Sequence, residues 1–180
     1  RFLSRALSQN CWGKTAILGG WSSLNHKGLP DLVMIPRFPL TTVGALVTNP
    51  QGLVLIVRTG KWNGAWGVPG GKVEWGETLE NSLLREFREE VGLELEQVRF
   101  ALLQESIDDV QFHHSAHFVL LNYYAFTAES TITPNHEIKE WAWVSPQDAF
   151  TYSLNSYTRI LVEHYLEDVL IPRSDSHRSP

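Results

Sequence analysis

The sequence predicts a layered fold of the α/β or α+β class. β-rich runs recur at 41–48, 52–58, 98–104, 117–126 and 137–145. Two stretches with helical spacing, 78–91 and 156–169, lie among them. The apolar content is 43% of 180 residues, with 7 Trp, 8 Phe and 5 Tyr, enough for a core that strands and helices can share.

Residues 1–37 carry breakers in "ILGGW" and "NHKGLPD" and no sustained period. They read as an N-terminal extension ahead of a domain at 38–170. Trp12 and Trp21 should not stay solvated, so the extension is expected to cover a sheet edge or to form a homodimer interface. "TTVGALVT" and "GLVLIVR", joined by Asn49-Pro50-Gln51-Gly52, read as an antiparallel hairpin. The Gly- and Trp-rich stretch that follows reads as a loop. Thr78 is a suitable N-cap, Leu79, Leu83, Phe87 and Val91 are spaced by four, and Gly92 suits the C-terminal cap. Strands are expected again at 98–104, at 117–126 and in "EIKEWAWVS". Ser145-Pro146 reads as a helix start. The last helix carries Tyr157, Ile160, Leu161 and Tyr165, and the polar residues 171–180 read as a flexible tail.

The formal net charge of −5 argues against a nucleic-acid partner, which calls for a basic footprint. The lone Cys11 excludes an internal disulfide and a cysteine-based zinc cluster, which fits a cytoplasmic location. No apolar run approaches the roughly 18 residues of a membrane span.

The chemistry concentrates in "REFREEVG", residues 85–92. At about 100° per residue, Glu86 and Glu90 fall within about 20° of Leu79, with Glu89 further round the same edge. The acids thus border the apolar stripe, while Arg85 and Arg88 are read as pointing elsewhere. Like charges three and four apart repel, so a cation is expected beside them. Carboxylate oxygens suit Mg²⁺ or Mn²⁺. An Arg85–Glu89 pair at i,i+4 is the rival reading, and the two are compatible. "VPGGKVEWGE" brings a glycine bend to the helix start, where backbone can approach a ligand closely.

Gly71, five residues, Glu77, seven residues, then Arg85-Glu86-Phe87-Arg88-Glu89-Glu90-Val91-Gly92-Leu93 resembles the Nudix box. Phe87 departs mildly from the usual Ile, Leu or Val. The flanks "GKWNGAWGVPGG" and "HEIKEWAWVSPQDAF" extend the resemblance to about 40–170. The resemblance implies an α/β/α sandwich with a mixed sheet. It also implies metal-dependent hydrolysis of a nucleoside diphosphate linked to another group. Glu86, Glu89 and Glu90 would be metal ligands with the Gly70 carbonyl, Glu77 a nearby carboxylate, and Arg85 an orienting residue. The general base would be a box glutamate or a later one, for which Glu137 is the candidate.

Arg58 and Lys61 are placed to meet phosphates, and Trp62, Trp66, Phe112 and Tyr123 to stack a base or pack the core. His113, His114 and His117 are read as rim or structural residues, and Glu140 as a strand or rim residue. A non-catalytic nucleotide-binding module is the alternative, although every acidic box position is kept. An RNA-end hydrolase is disfavoured by the charge. "SIDDVQ" after the box lacks the Pro or Tyr of some relatives, which leaves nucleotide sugars, ADP-ribose and nucleoside triphosphates as substrates.

Overall fold

A computed structural model describes residues 38–170. The expectations for 1–37 and 171–180 lie outside the described residues. Strands β1 (Leu40–Thr48) and β2 (Val54–Thr59) are followed by two short ones, β3 (Trp66–Gly67) and β4 (Gly70–Lys72). Helix α1 (Leu79–Val91) leads to β5 (Glu96–Ile107), β6 (His117–Phe126) and β7 (Ile138–Val144), and α2 (Ser156–Leu170) ends the description.

The sheet runs β3-β2-β1-β6-β5, with β4 on β1 and β7 on β2. β1 and β6 pair in parallel from Leu40↔Phe118 to Thr48↔Phe126, and the other pairings are antiparallel, so the sheet is mixed. Alternation along the strands splits the core into two layers. Val43, Ala45, Leu55 and Val57 face α1 through Leu83, Phe87 and Val91. Leu46, Val54 and Ile56 face α2 through Leu161 and Val162. The run "VLIV" of β2 is buried on both sides, as a strand between two helical layers must be. The result is the expected α/β/α sandwich. Among the described residues, no helix is long and apolar enough to cross a membrane.

Five local expectations need correction. β1 and β2 meet as a hairpin only at Thr48↔Val54. Asn49 holds that turn, accepting the N–H groups of Gln51 and Leu53. Beyond it β2 leaves to pair with β7, and β4 takes the vacated edge of β1 at Thr42–Gly44. The stretch read as loop therefore contains two strands, too short to show a period. Ser145-Pro146 opens only a single 3₁₀ turn, Asp148–Thr151, in which Ser145 Oγ accepts the Asp148 N–H. On α2, Ile160 is exposed and Val162 takes the core position. Leu79, likewise, lies half out of the α1 stripe.

Candidate active site

α1 is fixed at both ends as its sequence requires. Thr78 Oγ1 accepts the Asn81 N–H at 3.2 Å, and Gly92 closes the helix at φ 69°. Its acidic edge then faces the bend at Gly70-Gly71. A Cβ on Gly71 would stand 2.3–2.4 Å from the Glu86 carboxyl group. One on Gly70, at φ 148°, would meet the Val43 carbonyl oxygen at 2.2 Å. The Gly70 N–H donates to Glu90 Oε2 at 3.0 Å. Glu90 is only 5% exposed, and burial raises its pKa against the opposing effects of the Gly70 N–H and the Lys61 charge.

Arg85 does not point away from the acids, as the helical wheel suggested. Its long side chain folds back along the helix and donates to Glu77 Oε1 and Oε2 at 2.8 and 2.9 Å, to Glu86 at 2.9 Å and to Glu89 at 3.3 Å. A further bond at 3.1 Å reaches the Lys72 carbonyl. The bidentate guanidinium holds Glu77 down at about 2. Arg88 does point elsewhere, onto Glu94.

Lys61 enters the cluster from the opposite side. Its Nζ lies 2.5 Å from Glu137 Oε2 and 3.6 Å from Glu90 Oε1. The Lys61 bond is the main reason the Glu137 pKa is lowered. Burial pulls the Lys61 pKa down, but Glu137, Glu90 and Glu86 together raise it. Among the described residues no three acidic or histidine side chains close into a ready metal cage, because Arg85 and Lys61 stand among the carboxylates. Carboxylates and a glycine bend nevertheless form an all-oxygen donor set, which fits a hard divalent cation.

These groups line one wall of a cleft of about 590 Å³. Trp62, Phe112, Phe118 and Tyr157 line another part, with Trp62 4.9 Å from Phe112 and 5.4 Å from Tyr157 between ring centres. His113 braces this wall, since its backbone N–H and its Nδ1 both bond the Lys61 carbonyl, at 3.0 and 2.9 Å. His114 lies at the same rim, whereas His117 pairs with Glu105. Arg58 is not brought to the cleft. It pairs with Glu140 across β2 and β7, which accounts for both residues. Trp66 packs on Tyr152, and Tyr123 belongs to the core on the α1 side. Sequence reasoning missed Asn122, Asn155 and Thr158, buried polar residues that line the cleft. Asn155, a cap-type residue directly before a helical pattern, carried a readable signal.

A sequence profile described as the NUDIX domain matches residues 39–165, which include the helix, the glycine bend and Glu137. The chain belongs to the Nudix family. It is a Nudix hydrolase, with the pyrophosphohydrolase chemistry of that family, whose members use divalent metal ions. Nucleoside triphosphatase NudI of Escherichia fergusonii is 37% identical over 129 residues, spanning 66% of this chain and 91% of that protein. NudI of Escherichia coli K12 is 34% identical over the same shares. Among solved structures, a MutT NUDIX hydrolase from Burkholderia pseudomallei aligns with a TM-score of 0.62 and 27% identity, covering 71% of this chain and 98% of that one. The NUDIX domain of Shewanella oneidensis NrtR, solved with ADP ribose, aligns at 0.63 with 21% identity over 74% and 90%, a likeness of fold.

Proposed function

We propose that the cleft hydrolyses a phosphoanhydride bond of a nucleoside triphosphate with Mg²⁺ or Mn²⁺ bound. One observation carries this reading. Four carboxylates, Glu86, Glu89, Glu90 and Glu137, share a wall with Arg85 and Lys61, and an aromatic wall stands beside it. The acids suit a metal and phosphates, and the rings suit a base. The NudI relatives favour triphosphates over the ADP-ribose and nucleotide-sugar alternatives.

In this reading Glu86, Glu89, Glu90 and the Gly70 carbonyl hold the ion, which neutralises phosphate charge and activates water when bound. Arg85 keeps Glu86 and Glu89 oriented. Lys61 keeps Glu137 ionised and in place, so Glu137 can take the proton from the attacking water. Water adds its oxygen to one phosphorus, and the other phosphate leaves with the bridging oxygen. Trp62 and Phe112 hold the base.

The test is a panel of nucleoside triphosphates, ADP-ribose and nucleotide sugars with either metal, with both pyrophosphate and orthophosphate detected. Triphosphates should show the highest kcat/KM. A nucleotide sugar or ADP-ribose outperforming all of them would displace the triphosphate assignment.

A further inference from the structure

The β5–β6 connection, residues 108–116, is fastened on two sides. On one side it holds the 61–63 loop, through the Lys61 carbonyl and the Asn63–Val110 bond. On the other it holds the start of α2. Gln111 Oε1 accepts both the Ser156 N–H at 3.1 Å and the Ser156 hydroxyl at 3.0 Å. Asp109 Oδ2 accepts the Tyr157 hydroxyl at 2.7 Å.

The second attachment follows from how helices begin. The first N–H groups of a helix have no partner within it. Asn155 Oδ1 takes the Thr158 N–H at 2.8 Å, and the Ser156 N–H needs an acceptor from elsewhere, which Gln111 brings. Asp109 divides its carboxylate between two tasks. Oδ1 accepts the Gln111 N–H at 2.7 Å and shapes the turn, while Oδ2 reaches across to Tyr157.

Phe112 stands between the two attachments, directly after Gln111 and before His113. Its ring lies 4.9 Å from Trp62, which lies 5.4 Å from Tyr157. These three rings line the cleft, whereas Gln111 and Asp109 are not among its lining residues. Contacts between rings are non-directional at their edges and tolerate sliding, but hydrogen bonds at 109 and 111 fix the connection in place.

We infer that Gln111 and Asp109 are positioning residues for substrate binding, which clasp the β5–β6 connection to α2 and hold Phe112, Trp62 and Tyr157 as one wall. This rests on the reading above in which Trp62 and Phe112 hold the base. The Lys61–Glu137 pair is held separately, through His113. Loosening the clasp therefore weakens binding in the ground state and the transition state alike, which raises KM and leaves kcat.

Steady-state assays on the full chain with Mg²⁺ and ATP, GTP, UTP, CTP, ADP-ribose or UDP-glucose test this, on each compound that the wild type hydrolyses. Gln111→Met keeps the length of the side chain and removes the acceptor. KM should rise about tenfold while kcat and its pH profile stay within about twofold. Gln111→Glu keeps an acceptor at a helix N-terminus, where negative charge is favoured, so KM should stay within about threefold of wild type. Asp109→Ala breaks the other half of the clasp and should raise KM to a similar extent. In the double variant of Gln111→Met and Asp109→Ala, KM should rise by less than the product of the single effects, because either break releases the same segment. Exchange of the Ser156 amide hydrogen without substrate should quicken in Gln111→Met and not in Gln111→Glu. An unchanged KM in both Gln111→Met and Asp109→Ala, a loss confined to kcat, or a Gln111→Glu variant as impaired as Gln111→Met overturns the inference. If ADP-ribose or UDP-glucose is hydrolysed but no triphosphate is, the triphosphate reading falls and the clasp is decided by the KM ratios for that substrate. Hydrolysis of none of these compounds overturns both.

Discussion

The Glu86 carboxylate lies where a side chain on Gly71 would begin. A Cβ there would stand 2.3–2.4 Å from its carboxyl atoms. The glycine is thus a condition of the acid's position. Gly71→Ala should push Glu86 away from Arg85 and lower kcat by about 10²-fold, the scale of a misplaced site group, with an unchanged far-ultraviolet spectrum. Near wild-type turnover in this variant would show that Glu86 need not be where it is found.

Glu89→Gln and Glu90→Gln keep side-chain volume and remove charge from the proposed ion site. Each should reduce turnover by roughly 10²-fold or more while the melting temperature stays close to wild type, and chelation of divalent ions should abolish wild-type turnover. Activity that persists after exhaustive chelation would remove the metal from the scheme.

Lys61 holds the Glu137 pKa below its usual range. Glu137→Gln should cost about 10²- to 10⁴-fold in kcat with little change in KM, as a lost general base does. Lys61→Met removes the stabilising charge and lets the Glu137 pKa rise. The acidic limb of the pH–rate profile should therefore move to higher pH. An unmoved limb would transfer the role of base to a glutamate on α1.

Glu77 provides a stability test without substrate. Its pKa is lowered from the ordinary 4.5 to about 2 by Arg85. A depressed carboxylate stabilises the fold above its unfolded pKa, and that contribution fades as pH falls through the interval from 4.5 to 2. The difference in Tm between wild type and Glu77→Gln should be full at pH 7 and shrink below pH 4.5. A gap that does not change with acid would mean that the pair is not what Glu77 contributes.

Much of the site was legible because α1 declares itself. Thr78 and Gly92 mark its ends, and the four-residue spacing places Glu86 and Glu90 beside the core. Glu137 was expected only from the resemblance to similar enzymes, and in the structure it lines the cleft, with Asn135 Oδ1 accepting its N–H. What stayed hidden depends on register and reach. The Arg58–Glu140 pair exists only because β2 and β7 align, and nothing in either segment encodes that alignment locally. The direction of Arg85 is set by a flexible chain long enough to meet Glu77, Glu86 and Glu89 on the far side of a helical turn. β3 and β4 are too short for periodicity to register.

The carboxylates and the rings come from different segments. Three of the acids sit on one helix, whereas Phe112 and His113 belong to the β5–β6 connection, which grips the 61–63 loop through the Lys61 carbonyl and the Asn63–Val110 bond. Ligand range and bond-breaking chemistry are therefore separable by mutation. The connection can drift over evolutionary time, or be exchanged for that of another sandwich, and bring a new clientele to an unaltered acidic helix. The limit is His113, because a replacement connection that does not hold Lys61 would also release Glu137.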